Sequence, residues 1–215
     1  MRPFTVVTGP AAPLLQANID TDVIIRIERL TGGADLAHYA FEALRYLPDG
    51  SPNPECIFNE QHFAKAPILL AGRNFGCGSS REGAVTALMA MGLRCIIAPS
   101  FGDIFFANSF RNGLLPIVLP EDTVKRLAAE SGTGDFYVNL EAQLVRAPSG
   151  ETISFPIDAL RREGLLEGLD EIGLTLKDGS EIAAWQTVDR GNRPWVWCSG
   201  IAPAFGQMGR DERSR

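Results

Sequence analysis

Several features that would commit this chain to a particular class of protein are scarce in its sequence. Among 215 residues there are two histidines and four cysteines, and no two cysteines form a CxxC pair. Reduced thiols are therefore expected, not a disulfide framework. Cys77 lies where a reactive thiol could be activated, but a single cysteine does not hold an iron–sulfur centre. We interpret it as a packed thiol, and we expect no metal site in this chain.

Long apolar runs and an excess of positive charge are also missing. No stretch approaches the roughly 20 apolar residues that span a bilayer, and the first residues lack the order of a secretory signal. Lys and Arg number 20 against 26 Asp and Glu, a net charge of -6. Such a charge repels nucleic acid and anionic membrane surfaces. We expect a cytoplasmic protein that binds neither.

The middle of the chain alternates strand and helix patterns. The segments APILLAG, CIIAP and LLPIVL read as buried strands, with helices predicted in REGAVTALMAMG and SFGDIFFANSFRNG between them. Two strand-helix-strand steps predict a parallel sheet with helices on its faces. Beyond Pro120 a charged helix and three short strands, FYVNL, AQLVRA and ETISFPI, predict a β-rich C-terminal lobe. The fold class is therefore α/β.

The remaining segments carry local signals of helices and turns. FTVVTG reads as a strand, and a helix is predicted from Asp35 through DLAHYAFEALRYL. Asp158 and Ser180 are predicted to cap two further helices, in ALRREGLLEGL and EIAAWQ. The last stretch has no sustained periodicity and is rich in Gly, Pro and Arg. We expect one main domain over residues 1–186 and an irregular tail over residues 187–215.

The loop RNFGCGSSREG has the composition of an anion-binding site. It joins a predicted strand to a predicted helix, and ligands of open α/β sheets bind at that end of the strands. Its glycines allow close approach, while the helix N-terminus and Arg81 favour a carboxylate or phosphate. The plainer interpretation is a glycine-shaped turn with a serine cap. Nucleotide-binding motifs are excluded, because the third glycine of GxGxxG and the GxxxxGK[ST] loop are missing.

Residues 18–22, NIDTD, form a second polar segment between two apolar runs. They could hold an active-site arginine, bind a hard cation, or form an Asx-stabilised turn. A turn is the favoured interpretation from these residues alone, because a metal site needs more ligands. His38 and His62 each stand alone in a helical pattern, and we interpret both as structural.

Four segments together resemble a known family over most of the chain, roughly residues 4–186. They are ANIDTDVII, GRNFGCGSSREG, IIAPSFGDIFFANSFRNGLLPI and GLDEIGLTLKDGSEIAAW. In order and spacing they resemble the small subunits of 3-isopropylmalate dehydratases, in the aconitase superfamily. The resemblance implies a swivelling β/β/α domain that docks on a large subunit, as a heterodimer or heterotetramer. The four-iron four-sulfur cluster would belong to that partner, so this chain would bind no cofactor itself.

The resemblance also implies an activity and a set of site residues. The two subunits would interconvert 2-isopropylmalate and 3-isopropylmalate through 2-isopropylmaleate in leucine biosynthesis. Ser79 would take the proton from the substrate carbon, while Ser80 and Arg81 would bind a substrate carboxylate. Further substrate-binding positions are Gly78 and Arg26. Supporting positions are Asp20, Thr21, Asp22 and Asn74.

The chain departs from the pattern of many such small subunits at two positions and in its tail, which extends past the resemblance after about Thr187. Arg26 stands where many have Pro, and Gly83 where many have His. A second arginine near the loop could favour another carboxylate over an isopropyl group, but it could equally point to solvent or bind the partner. The same chemistry on a citraconate-, dimethylmalate- or homoaconitate-type diacid is therefore an alternative. Another alternative is a carboxylate-binding protein without catalytic activity.

Overall fold

A computed structural model describes residues 1–30, 35–78 and 82–197 of the chain. By its internal contacts the chain divides into two compact units, residues 1–172 and residues 173–215. Most of the secondary structure belongs to the first unit. It combines a parallel and an antiparallel sheet with helices, which confirms the α/β class.

The parallel sheet has the strand order β2-β3-β4-β5. Its strands are β2 (Ala11–Leu14), β3 (Ile68–Ala71), β4 (Cys95–Ala98) and β5 (Leu115–Val118). The register aligns Ile68 with Cys95, and Ala98 with Val118. Helices α4 (Glu82–Ala90) and α5 (Asp103–Asn112) connect β3 to β4 and β4 to β5. Both predicted strand-helix-strand steps are thus confirmed.

Every residue of β3 and β4 is buried, and the side chains alternate between two cores. Leu69 and Ile96 pack into a core with the helices α4 and α5. Ile68 and Ile97 pack on the opposite face of the sheet, with Phe136 and other side chains of the antiparallel sheet. Central parallel strands covered on both faces read as continuous apolar runs, which explains the runs ILLA and CIIA.

The antiparallel sheet has the strand order β1-β6-β7-β8. Its strands are β1 (Val6–Gly9), β6 (Phe136–Asn139), β7 (Leu144–Arg146) and β8 (Thr152–Ser154). The three C-terminal strands were expected from their patterns. The β-rich lobe is not entirely C-terminal, however, because β1 from the N-terminus pairs with β6 at the sheet edge.

The helices of the first unit follow the sequence signals except at the first of them, which was not predicted, and in the segment after Asp35. They include α1 (Thr21–Ile24), α2 (Leu36–Tyr39), α3 (Glu42–Arg45), α6 (Glu121–Ala129) and α7 (Ala159–Glu167). Asp158 caps α7 as predicted, since its side chain accepts the Arg161 amide. The single helix predicted from Asp35 is wrong: it breaks at Phe41, which has a φ of 54°. The buried Phe41 ring stacks on Phe58 at 4.7 Å, and its amide donates to Ile24 O.

The second unit begins inside α8 (Glu171–Leu176) and contains α9 (Gly179–Asn192). Helix α9 starts at Gly179 with Asp178 at the cap position, so the Ser180 cap was wrong. Residues 187–192 are helical where an irregular segment was expected. Residues 198–215 lie outside the described residues, and the division of the chain at residue 187 stays a prediction. Within the described ranges no helix is long and apolar enough to cross a membrane.

We expect the central strand β3 to dominate the stability of the first unit. Leu69→Ala removes a fully buried side chain and should lower the free energy of unfolding by about 2–5 kcal/mol. Leu160→Ala is the control, because Leu160 is 65% exposed on α7; its effect should stay within about 0.5 kcal/mol. Urea titrations of both variants measure this. Equal losses would contradict the assignment of the core.

Candidate active site

Three loops meet at the carboxyl edge of the parallel sheet, after β2, β3 and β4. The loop after β3 is hydrogen-bonded to the other two through the backbone. Gly76 N donates to Ile19 O at 2.7 Å, and Thr21 N donates to Cys77 O at 2.9 Å. On the other side, Phe75 N donates to Ser100 O at 3.1 Å. The loop thus continues the sheet's parallel pairing for a few residues beyond the strands.

Two asparagines reinforce the junction of these loops. Asn18 and Asn74 both have left-handed backbones, with φ of 59° and 57°. Asn74 Nδ2 donates to Asn18 Oδ1 at 2.9 Å, and Asn74 N donates to Ser100 Oγ at 2.8 Å. Asparagine tolerates this conformation better than most residues. The supporting position Asn74 therefore connects all three loops.

Gly76 lies directly against the aromatic core below the loop. Its φ is 71°, and an added Cβ would come within 2.3 Å of the Phe105 ring. Phe105 is 2% exposed and packs edge-on against Phe75 at 5.5 Å between ring centroids. Glycine is thus required at position 76 for two separate reasons, the backbone conformation and the lack of space.

A cavity of about 340 Å³ opens between the loop after β3 and the loop after β4. It is lined by Asn74, Gly76, Cys77, Gly78, Phe101, Gly102, Asp103 and Ile104. Backbone of the predicted loop thus forms one wall, and the start of α5 forms the other. We call this the loop cavity.

The predicted site residues Ser79, Ser80 and Arg81 lie outside the described residues. The two ends of this segment are described. Gly78 is exposed at the edge of the loop cavity, and α4 begins at Glu82. Three residues of the sequence separate Gly78 from the first residue of the nine-residue helix α4, and the dipole of a helix favours an anion at its N-terminus.

The other supporting positions lie on the neighbouring loop. Asp20 caps α1, with its Oδ1 accepting the Val23 amide at 2.8 Å. Thr21 is buried and joins Cys77 through its backbone, whereas Asp22 is exposed in the first turn of α1. The geometry of Asp20 fits the Asx-turn interpretation. The substrate-related roles of these three residues stay predictions.

Arg26 lines a different cavity from the loop cavity. This cavity, of about 590 Å³, is also lined by Arg29, His38, Tyr39 and Glu42. Arg29 donates to Glu42 through Nε and Nη2 at 2.9 and 2.8 Å. That pairing lowers the pKa of Glu42, and the charge of Arg26 acts in the same direction. No described residue lines both cavities, and the substrate-binding role of Arg26 stays a prediction.

The described cysteines and histidines are dispersed. Cys56 and Cys95 are buried, and burial raises the pKa of both thiols. Cys77 is partly exposed in the loop cavity. Within the described part of the chain, no three His, Cys, Asp or Glu side chains are grouped to hold a metal ion. These thiols therefore do not fit an iron–sulfur cluster.

Sequence reasoning missed the contribution of the loop after β4. Phe101, Gly102, Asp103 and Ile104 form half of the loop cavity, but this segment was predicted only as a turn and helix start. The sequence did contain a signal for this contribution. The second predicted strand-loop-helix step places the loop after β4 beside the loop after β3, at the same edge of the sheet. The roles of Asn18 and Ser100 depend on tertiary contacts that no local pattern indicates.

Comparison with known proteins identifies close relatives. Residues 1–122 match the model of the Aconitase C-terminal domain, and residues 125–159 match the model of LeuD_N. The chain is 48% identical over 205 residues to the 3-isopropylmalate dehydratase small subunit of Rhodospirillum rubrum, covering 91% of this chain and 97% of the relative. The corresponding protein of Marinobacter nauticus is 45% identical, with 93% and 100% covered.

A solved structure shows the same fold. The crystal structure of 3-isopropylmalate dehydratase from Methanocaldococcus jannaschii superposes with a TM-score of 0.60 at 24% sequence identity. The match covers 84% of this chain and 99% of that chain.

We expect Gly76→Ala to destabilise the protein more than a glycine substitution that strains only the backbone and causes no steric clash. Gly92 is the matched control, with a φ of 101° and no atom within 4 Å of an added Cβ. Gly92→Ala should cost about 1–2 kcal/mol of stability from the left-handed backbone. Gly76→Ala should lose about 1–3 kcal/mol beyond that, because Phe105 must move. Urea unfolding measures both; equal losses would contradict the close packing of Gly76.

Proposed function

The chain belongs to the Aconitase C-terminal domain family, among the 3-isopropylmalate dehydratase small subunits, and we propose that it is the small subunit of a two-subunit hydro-lyase. The observation that carries this proposal is 48% identity over 91% of the chain to a small subunit of that name. The loop cavity supports it, because Gly78, which lines this cavity, directly precedes Ser79, Ser80 and Arg81 in the sequence. A cytoplasmic location is part of the proposal.

The proposed reaction interconverts 2-isopropylmalate and 3-isopropylmalate. A proton leaves one carbon and the hydroxyl leaves its neighbour, which gives 2-isopropylmaleate and water. Water then adds back in the other orientation, so that hydrogen and hydroxyl have exchanged carbons. The chain would act in this way in leucine biosynthesis.

Ser79 is the proposed base, acting as an alkoxide that takes the proton from the substrate carbon. A serine becomes basic in this way only where positive charge and N–H dipoles stabilise its oxyanion. Arg81 and the N-terminus of α4 are within a few residues of it along the chain. The backbone before Ser79 turns through positive φ angles at Gly76 and Gly78, and helix α4 begins directly after Arg81.

Substrate binding is proposed for Ser80, Arg81 and the backbone at Gly78. Arginine presents a planar pair of donors that matches a carboxylate, and this pairing orients the substrate as well as holding it. Asn74, Asp20, Thr21 and Asp22 would support the segment from the neighbouring loop. Asn74 hydrogen-bonds to Asn18 and Ser100 on the two neighbouring loops, and Asp20 caps α1, which suits residues that position a loop.

The partner in this proposal is a large subunit that carries the four-iron four-sulfur cluster, in a heterodimer or heterotetramer. When bound there, the cluster supplies a Lewis acid for the leaving hydroxyl. This chain contributes the base and the carboxylate-binding groups. It would move as a swivelling domain against the partner and be inactive when isolated.

Other diacids remain as a second substrate hypothesis, which depends on Arg26. Arg26 lines a cavity separate from the loop cavity, and this favours 2-isopropylmalate over a substrate with an additional carboxylate. If Arg26 does bind substrate, Arg26→Gln raises the KM of the assembled enzyme. An unchanged KM removes Arg26 from the binding site.

The direct test is anaerobic reconstitution with the iron–sulfur large subunit of the same organism, followed by turnover assays. We expect conversion of 2-isopropylmalate and hydration of 2-isopropylmaleate. Turnover of citraconate- or homoaconitate-type acids alone would keep the chemistry and change the substrate. No turnover of any of them, together with carboxylate binding by the free chain, would support the binding-protein alternative instead.

We expect Ser79→Ala to abolish turnover while folding and association with the large subunit stay intact. The loss of a general base typically costs a factor of about 10²–10⁴ in rate. Turnover is measured with the assembled enzyme at saturating small subunit. Thr86→Ala is a control hydroxyl deletion, since the Thr86 hydroxyl donates to Gly83 O inside α4. Full activity of Ser79→Ala would refute the proposed mechanism.

We expect Arg81→Lys to act mainly on substrate binding. Lysine keeps the charge but loses the planar pair of donors. The KM should therefore rise by about tenfold or more with a smaller change in kcat, as for the loss of a charge-assisted hydrogen bond. Steady-state kinetics separate the two constants. An unchanged KM would exclude Arg81 from carboxylate binding.

A further inference from the structure

An exposed apolar surface begins at the loop cavity and continues to the edge strand β5 of the parallel sheet. It consists of Phe101, Ile104, Phe106 and Val118, and we call it the apolar rim. Ile104 is 48% exposed and Val118 is 46% exposed, while Phe101 and Phe106 are half-buried. Exposed apolar side chains that cluster in this way mark interaction surfaces more often than isolated ones do.

The fold makes the rim continuous. Ile104 and Phe101 line the loop cavity together with Cys77 and Gly78. The Phe101 and Phe106 rings lie 5.6 Å apart. Phe106 and Val118 then line a second cavity, of about 350 Å³. Val118 ends the edge strand β5 and pairs with Ala98, directly before the loop that carries Phe101.

Two aromatic side chains of the rim are held in place by their neighbours. The Phe101 ring is stacked over the buried Phe105 at 6.3 Å, with 10° between the planes. The Arg161 guanidinium lies over the rings of Phe106 and Phe110 at 5.2 and 4.9 Å. Ordered aromatic side chains lose little conformational entropy on binding, which favours their use in interfaces.

We propose that the apolar rim is a docking surface for the cluster-bearing large subunit, an inference that rests on the proposed function. A substrate that touches both subunits must lie between the loop after β3 and the partner. The partner surface therefore comes close to Gly78, and Ile104 lines the same cavity. A small diacid fills at most the loop cavity, whereas the apolar rim extends beyond it into the second cavity, as far as Val118. A protein surface fits this extent better than a ligand does.

The test compares two valines of equal exposure on two edge strands. Val118→Lys places a charge in the rim, and Val6→Lys places one on β1, at the edge of the antiparallel sheet; both valines are 46% exposed. Binding of each full-length variant to the iron–sulfur large subunit is measured anaerobically by calorimetry. We expect the Kd to rise about tenfold or more for Val118→Lys, and to stay within about twofold for Val6→Lys.

Activity separates docking from catalysis. With enough Val118→Lys subunit to saturate the partner, kcat and KM for 2-isopropylmalate should match those of the wild type. Unfolding curves that match the wild type exclude a folding defect as the cause of weaker binding. Ile104→Lys, at the other end of the rim, should weaken association at least as much as Val118→Lys.

Three outcomes would overturn the docking proposal. The first is a Kd of Val118→Lys equal to that of the wild type. The second is a change in self-association of the free chain without a change in partner binding, which would assign the rim to a second copy. The third is a wild-type chain that does not bind the large subunit, which would refute the proposed function as well. A Kd that rises as expected in a pair inactive on every diacid would support docking and refute only the function.

Discussion

The candidate site depends on backbone hydrogen bonds that continue the parallel sheet beyond its strands. The loop after β3 receives and donates amide bonds on both sides, to the segment at Ile19–Thr21 and to Ser100 and Gly102. Since each of these loops leaves a different strand, their relative positions follow from the strand register. The two fully buried central strands set that register, because a one-residue slip would exchange the side chains that pack in the two cores.

This arrangement explains how a chain without a metal site in its described part can contribute to a hydro-lyase. In the proposed division of labour, the Lewis acid belongs to the partner, and the base and carboxylate ligands belong here. The residues that this chain contributes, which we call the half-site, must be positioned before the partner binds. Misplacement of a catalytic group by about 1 Å can cost two orders of magnitude in rate. The packing of Gly76 on Phe105 and the Asn18–Asn74 hydrogen bond serve that positioning.

Sequence patterns predicted the parallel core, because β3, β4 and β5 are short apolar runs separated by helical segments and glycine-containing loops. They also predicted the position of the loop after β3 at the edge of the sheet. The break at Phe41 was missed, since a buried aromatic contact with Phe58 overrides the helical spacing of the segment. The pairing of β1 with β6 joins residues more than a hundred positions apart, and no local signal reports such a contact.

The most direct test of a preformed half-site is amide hydrogen exchange of the free chain, followed by NMR. We expect the amides of Thr21, Phe75, Gly76 and Gly102 to exchange as slowly as those of the central strands, because each donates to a backbone carbonyl of a neighbouring loop. Exchange of these amides at rates near those of an unfolded chain would mean that the hydrogen bonds between the loops do not hold in the free chain, and would contradict a preformed site.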